Sequence, residues 1–229
     1  VRVELVERAE GDFQKAAQVA SLLLALLLPF ALVLSLALAQ LAPLAFIGPL
    51  ALAMLVLRLR GFAHGVSPLP NLITALRVAL TGVMGLGVLG GAPLPYALLV
   101  LVIFALDGAD GTLARRLAAS SRMGAHFDME ADGYLVLMLC GLLALRGMGA
   151  WVLTGGLLRY AYVLVTALVP SRGEAPPSRF GRYAFSLSLT ALTLALIAGP
   201  GAASALALLG TGVLTASFGR SFYWALAAS

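Results

Sequence analysis

Charge is what this sequence has least of. Charged side chains make up 11% of its 229 residues against 61% hydrophobic, and the mean hydropathy is +1.01. A soluble domain carries roughly a quarter charged residues, so water cannot be the solvent for most of this surface. Cysteine is all but missing. Cys140 stands alone inside an apolar run, which excludes a disulfide framework and a zinc-type cluster and leaves a small buried hydrophobe. Lysine is reduced to Lys15, so the formal net charge of +5 rests on arginine. In a soluble protein that excess would suggest nucleic acid; here membrane topology accounts for it, and no nucleic-acid partner is expected. Histidine is limited to His64 and His126, neither at metal-ligand spacing, and both read as structural.

What the chain does have is long apolar runs. About 20 apolar residues cross a hydrocarbon core about 30 Å thick, and on that measure eight spans are predicted: 16–38, 42–57, 71–90, 93–113, 124–146, 150–169, 183–199 and 202–219. Proline, glycine and charge separate them, as at Pro43, Gly90-Gly91-Ala92-Pro93 and Gly199-Pro200-Gly201. Val1 to Lys15 carries Glu4, Glu7, Glu10 and Asp12 among its basic residues, unlike a signal peptide, and residues 3–14 predict a short amphipathic helix at the membrane surface.

The basic residues test the span count. With both termini in the cytoplasm, the inner segments hold Arg2, Arg8, Lys15, Arg58, Arg60, Arg115, Arg116, Arg122, Arg172, Arg179, Arg182 and Arg220, and the outer loops only Arg146. The bias alternates correctly at every loop, and a missed span would break it.

Five of the ten acidic residues fall between Asp107 and Asp132, at the ends of two apolar spans. Each such group costs about 2.5–3.5 kcal/mol at a helix centre, so a function is expected of them. The competing reading has them reach the cytoplasm beside Arg115, Arg116 and Arg122. Asp107 and Asp110 are three apart and Asp128 and Asp132 four apart, so each pair shares a helix face. The short turn between the spans predicts an antiparallel pair with all four carboxylates at one end. Their repulsion calls for divalent cations, and oxygen ligands favour Mg²⁺, Mn²⁺ or Ca²⁺. Glu130 is two positions from either aspartate and points elsewhere. Gly108, Gly111 and Gly124 leave room for a ligand or a partner helix, while Gly155-Gly156 suits close helix packing.

Residues 107–132 read D-G-A-D-G-T-L-A-R-R-L-A-A-S-S-R-M-G-A-H-F-D-M-E-A-D. The stretch resembles the signature of the CDP-alcohol phosphotransferase family, D-x-x-D-G-x-x-A-R followed, eight residues on, by G-x-x-x-D-x-x-x-D. Asp107, Asp110, Gly111, Ala114, Arg115, Gly124, Asp128 and Asp132 match every fixed position. Upstream, Pro70-Asn71-Leu72-Ile73-Thr74-Ala75-Leu76-Arg77 resembles the opening of the family's first core helix.

The resemblance implies an all-α integral membrane protein with a six-helix catalytic domain, here over 61–229; the two additional transmembrane helices over 16–60 and the juxtamembrane segment over 1–15 are read from hydropathy and are the main departure from the family's pattern. It implies a homodimer in a bacterial cytoplasmic membrane, with the active site facing the cytoplasm. Asp107, Asp110, Asp128 and Asp132 would bind two divalent cations, Mg²⁺ or Mn²⁺, and Asp132 would also be the general base. Gly111, Ala114 and Arg115 would shape the CDP pocket, with Asn71, Thr74 and Arg77 on its nucleotide–phosphate side. The substrates would be a CDP-linked lipid such as CDP-diacylglycerol and an acceptor alcohol, with CMP released.

For the acceptor, Arg159 lies within a span, where a charge must face the protein interior or a wet cavity. Arg179 and Arg182 lie near the same cytoplasmic end. Arginine suits bidentate phosphate binding, so a phosphorylated polyol is expected; for Arg179 and Arg182 a purely topological role is the alternative. The same chemistry on an acceptor without phosphate, and a cation-coupled transporter, are the competing readings.

Overall fold

The apolar runs fold as helices, the form in which a segment in hydrocarbon satisfies all its backbone hydrogen bonds by itself. The computed structural model describes residues 2–62, 69–116, 121–169 and 178–227, with side chains for 11–61, 71–108, 121–169 and 178–227. Within them the chain is all-helical. Helix α1 spans Arg2–Ala37, α2 Ala42–Leu59, α3 Leu69–Gly85, α4 Pro93–Arg116, α5 Arg122–Leu143, α6 Leu153–Leu168, α7 Arg179–Ile197 and α8 Pro200–Leu226. A π turn over Ala144–Met148 and a 3-10 turn over Ala150–Val152 lead from α5 to α6. Pro43 and Pro200 stand in the first turns of α2 and α8, where the missing N–H has no intrahelical partner to lose.

Six helical stretches are long and apolar enough to cross a membrane: Gly11–Ala37, Ala42–Leu59, Arg122–Met148, Ala150–Leu168, Arg179–Ile197 and Pro200–Leu226. Asn71–Gly85 and Pro93–Gly108 are shorter apolar helices. This is the make-up of a multi-pass membrane protein. Boundaries differ from expectation by more than four residues in three places. The helix of the predicted span 71–90 stops at Gly85, because Gly87 and Gly90 adopt φ of +72° and +70°, a left-handed region that ends a helix. At the far end α8 continues to Leu226. At the near end α1 runs unbroken from Arg2, so the acidic N-terminal segment and the first apolar run are one helix.

Helix α5 is the centre of the bundle. Every residue from Tyr134 to Leu143 is buried, as befits a helix apolar on all sides, and α1, α2, α3, α6 and α7 all pack against it. Small residues make the close approaches possible. Gly141 of α5 admits the side chains of Leu32 and Leu41, and Gly156 of α6 rests on the backbone of Leu137. Gly48 of α2 leaves the space that the Tyr134 ring fills, and the Tyr134 hydroxyl donates to the Leu44 carbonyl at 3.2 Å. The two helices ahead of α3 are thus seated on the central one. Away from the aspartates, Arg146 donates to the Gly91 carbonyl at 3.2 Å and lies 4.8 Å from the Tyr96 ring centre, joining two turns.

A methyl group at position 48 would stand 2.2 Å from Tyr134 Cε2, far inside van der Waals contact. Gly48→Ala is therefore expected to destabilise the protein by about 1–3 kcal/mol through overpacking, read as a lower melting temperature in detergent. Gly212→Ala, where an added Cβ meets nothing, should leave the melting temperature unchanged or slightly raised.

Candidate active site

Asn71, Thr74 and Arg77 recur at three-residue spacing and lie along one side of α3. Thr74 and Arg77 are buried. Asn71 reaches α5: its Oδ1 lies 3.0 Å from the point where a Cβ of Gly124 would stand, so the glycine permits the approach. Arg77 goes deepest. Its guanidinium lies among three carboxylates, 2.9 Å from Asp107 of α4, 2.5 Å from Asp132 of α5, and in direct contact with Asp128 one turn earlier. Helix α3 packs against both α4 and α5. Read from the sequence as one antiparallel pair, α4 and α5 are instead bridged by α3 among the described residues, with the Arg77 cation between carboxylates that would otherwise repel.

The carboxylates of Asp107, Asp128 and Asp132 each offer an oxygen within 4.8 Å of the others. Three carboxylates against one guanidinium leave two negative charges uncompensated among the described residues. The donors are all oxygen, the set that suits hard divalent cations rather than zinc or copper. These residues therefore fit a metal. Asp110, Gly111, Ala114 and Arg115 continue the helical backbone of α4, and their side chains lie outside the described residues.

Beside the aspartates is a cavity of ≈ 410 Å³. Asp128 and Asp132 form one wall; Arg159 and Tyr162 of α6, Gly181 and Arg182 of α7, and Ser217 and Ser221 of α8 form the others. It is framed by the N-terminal parts of α5 and α7, the C-terminal half of α8, and α6 from Gly155 to Tyr162. Both N-termini are built alike. Ser121 caps α5 by accepting from the Gly124 N–H at 2.9 Å, and Ser178 caps α7 by accepting from the Gly181 N–H at 2.9 Å. Each cap opens a Ser-Arg-x-Gly tetrapeptide, a repetition legible in the sequence but not singled out there.

The arginines expected at the acceptor divide. Arg159 is buried and lines the cavity; Arg182 is exposed and also lines it; Arg179 is exposed and is not part of the lining. Arg159 crosses the face of α5 at Gly133, where a Cβ would come 3.3 Å from Arg159 Cγ. Its Nη2 donates to Glu130 Oε1 at 2.7 Å. Glu130 does point away from the aspartates, but its burial on the far side of α5 and its pairing with Arg159 escaped the sequence reading. The available signal was a carboxylate and an arginine each inside an apolar span, costly unless paired.

A family model described as CDP-alcohol phosphatidyltransferase matches residues 67–218. The chain belongs to that family. It is thus a transferase of phosphatidyl groups, and the reading as a cation-coupled transporter falls. The match takes in α3 to α7 and most of α8, leaving α1 and α2 outside. Comparison with curated proteins and with solved structures gives no match. The phosphatidyltransferases of this family are metal-dependent, and the three clustered aspartates can hold a cation.

If divalent cations share the carboxylates with Arg77, Mn²⁺ should raise the melting temperature by mass action. Arg77→Gln should melt lower than wild type in EDTA and gain more from Mn²⁺, since one more negative charge awaits compensation. Equal, Mn²⁺-independent melting of both proteins would contradict the assignment.

Proposed function

We propose that this phosphatidyltransferase moves a phosphatidyl group from CDP-diacylglycerol, or a similar CDP-linked lipid, to the hydroxyl of a phosphorylated polyol such as glycerol 3-phosphate or inositol phosphate. CMP is released, and the product enters phospholipid biosynthesis. The observation that carries the acceptor half is the placement of Arg159, a buried arginine that lines the same cavity as Asp132 and Arg182. Glu130 offsets the charge of Arg159, so position rather than cost supports the reading: a cavity lined by two arginines beside a carboxylate suits a molecule with a phosphate at one end and a hydroxyl at the other.

Asp107, Asp110, Asp128 and Asp132 would hold two divalent cations, Mg²⁺ or Mn²⁺, which when bound offset the charge of the pyrophosphate and of the departing CMP. Asp132 accepts the proton of the acceptor hydroxyl. The acceptor oxygen then forms a bond to the lipid-side phosphorus as the bond from that phosphorus to the CMP oxygen breaks, and CMP leaves with the electron pair. Gly111, Ala114 and Arg115 line the CDP pocket. Asn71 and Thr74 border its nucleotide–phosphate side, where Arg77 acts through the carboxylates it holds. Arg159 and Arg182 bind the acceptor phosphate, with Arg179 outside the mouth. All eight helices cross the membrane, both termini and the active site face the cytoplasm of a bacterial cell, and the protein is a homodimer. The twelve inner basic residues against Arg146 alone support that orientation.

Purified protein given CDP-diacylglycerol, Mg²⁺ or Mn²⁺ and a panel of alcohols should release CMP with a phosphorylated polyol as best acceptor. Asp132→Asn should slow release roughly 10²–10⁴-fold. Arg182→Ala, and Arg159→Lys (which keeps a charge opposite Glu130), should instead raise the acceptor KM and leave that of CDP-diacylglycerol nearly unchanged, the pattern of lost uniform binding. An acceptor without phosphate as the best substrate would refute the phosphorylated-polyol reading.

Orientation is tested separately in a Cys140→Ala background. Single cysteines at Ala92 and Ala202 should react with an impermeant reagent in intact cells, and one at Ser120 should not. Labelling at position 120 would reverse the orientation.

A further inference from the structure

Helix α1 lies outside the region that matches the family, yet it places a polar group against the catalytic helix. Ser21 is buried in the middle of an apolar helix. Its Oγ donates to Glu130 Oε1 at 2.6 Å, and the same carboxylate oxygen accepts from Arg159 Nη2 at 2.7 Å. His126 Nε2 is 2.9 Å from Ser21 Oγ. A serine hydroxyl has one proton, already given to Glu130, so His126 Nε2–H is the donor in that contact. The chain of donors therefore runs from His126 through Ser21 to Glu130, and Arg159 closes it from the other side.

We infer that Ser21 is a positioning residue for the acceptor pocket, holding the Glu130 carboxylate in the orientation that fixes how the Arg159 side chain lines the cavity. The argument is one of constraint. Glu130 is 1% exposed, and its other oxygen, Oε2, has no hydrogen-bond partner among the described residues. The carboxylate is thus aimed through Oε1 alone, by one neutral donor from α1 and one charged donor from α6. Without the serine hydroxyl the arginine is the one hydrogen-bonding partner left among the described residues, with His126 Nε2 standing 3.9 Å off, and the pair is free to turn together about the Glu130 side chain. The Arg159 stem lies against the bare backbone of Gly133 in the cavity wall, so a turn of its carboxylate partner shifts the Arg159 side chain along that wall. Hydrogen bonds to charged groups are the stronger ones, so one serine suffices for the task. The N-terminal helices accordingly carry part of the substrate site as well as packing.

This inference rests on the phosphorylated-acceptor reading, and the experiment separates the two. Acceptor KM, CDP-diacylglycerol KM, kcat and melting temperature are measured for wild type, Ser21→Ala, Ser21→Thr, Arg182→Ala, Arg159→Lys and the double variant Ser21→Ala/Arg159→Lys. Ser21→Ala is expected to raise the acceptor KM about 3–10-fold while kcat and the CDP-diacylglycerol KM stay within about twofold, the signature of lost binding rather than lost chemistry. Ser21→Thr, which restores the hydroxyl, should return the acceptor KM towards wild type. In the Arg159→Lys background Ser21→Ala should add little, since groups acting through one another are non-additive. Should Ser21→Ala not survive purification, Ser21→Cys, similar in size but a weak donor, is read in the same way. An unchanged acceptor KM in Ser21→Ala, or a fall in kcat together with both substrates' affinities and the melting temperature, overturns the inference while Arg182→Ala still shows its effect. If Arg182→Ala and Arg159→Lys both keep the wild-type acceptor KM, the phosphorylated-acceptor reading fails, and the inference with it.

Discussion

A guanidinium sunk among three carboxylates is the interaction on which the arrangement of this bundle depends. Arg77 alone in an apolar interior would be intolerable, and so would Asp107, Asp128 and Asp132 side by side. Each answers the other's cost. The four groups come from α3, α4 and α5, so their mutual contact fixes the rotation of three helices at once. A one-residue shift along α3 would turn Arg77 away by about 100° and leave the aspartates facing one another. Removing one partner from a buried ion pair typically costs about 3–5 kcal/mol. Among the described residues three carboxylates still face one guanidinium, an arrangement able to take up cations.

The helices ahead of the family-matching region make sense beside the central helix. An element apolar on all sides needs cover on all sides, and α5 receives part of it from α1 and α2, through Leu32 and Leu41 at Gly141 and through Gly48 at Tyr134. The opposite side of α1 shows Leu23, Leu26, Phe30 and Val33, the apolar surface expected to meet lipid. One helix thus faces two solvents, the bilayer and the protein core, with Ser21 on the core side.

The parts of the site legible in the sequence are those set within a single helix. Asp128 and Asp132 share a face because they are four apart, and Asn71, Thr74 and Arg77 because they recur every three; both follow from 3.6 residues per turn. What lies between helices was not legible in the same way. Spacing shows that Glu130 faces away from the aspartates, but not that α1 and α6 pack there, so its partners Ser21 and Arg159 could not be named. The end of α3 was misplaced for a different reason: Leu86, Val88 and Leu89 are as apolar as the helix before them, and only the backbone angles of Gly87 and Gly90 reveal the turn. The eight apolar runs themselves, bounded by Pro43, Pro93 and Pro200, were legible because each break carries its own backbone chemistry.

Gly133 follows Asp132 directly in the chain, and its missing side chain leaves room for the Arg159 stem in the cavity wall. Chemistry and capacity are therefore encoded by adjacent letters, one charged and one empty. Volume can be added at position 133 one methyl at a time without adding or deleting a charge, and every increment presses on the Arg159 stem before it reaches a carboxylate. For anyone seeking to alter what the cavity accepts, that position is a dial separate from the switch beside it.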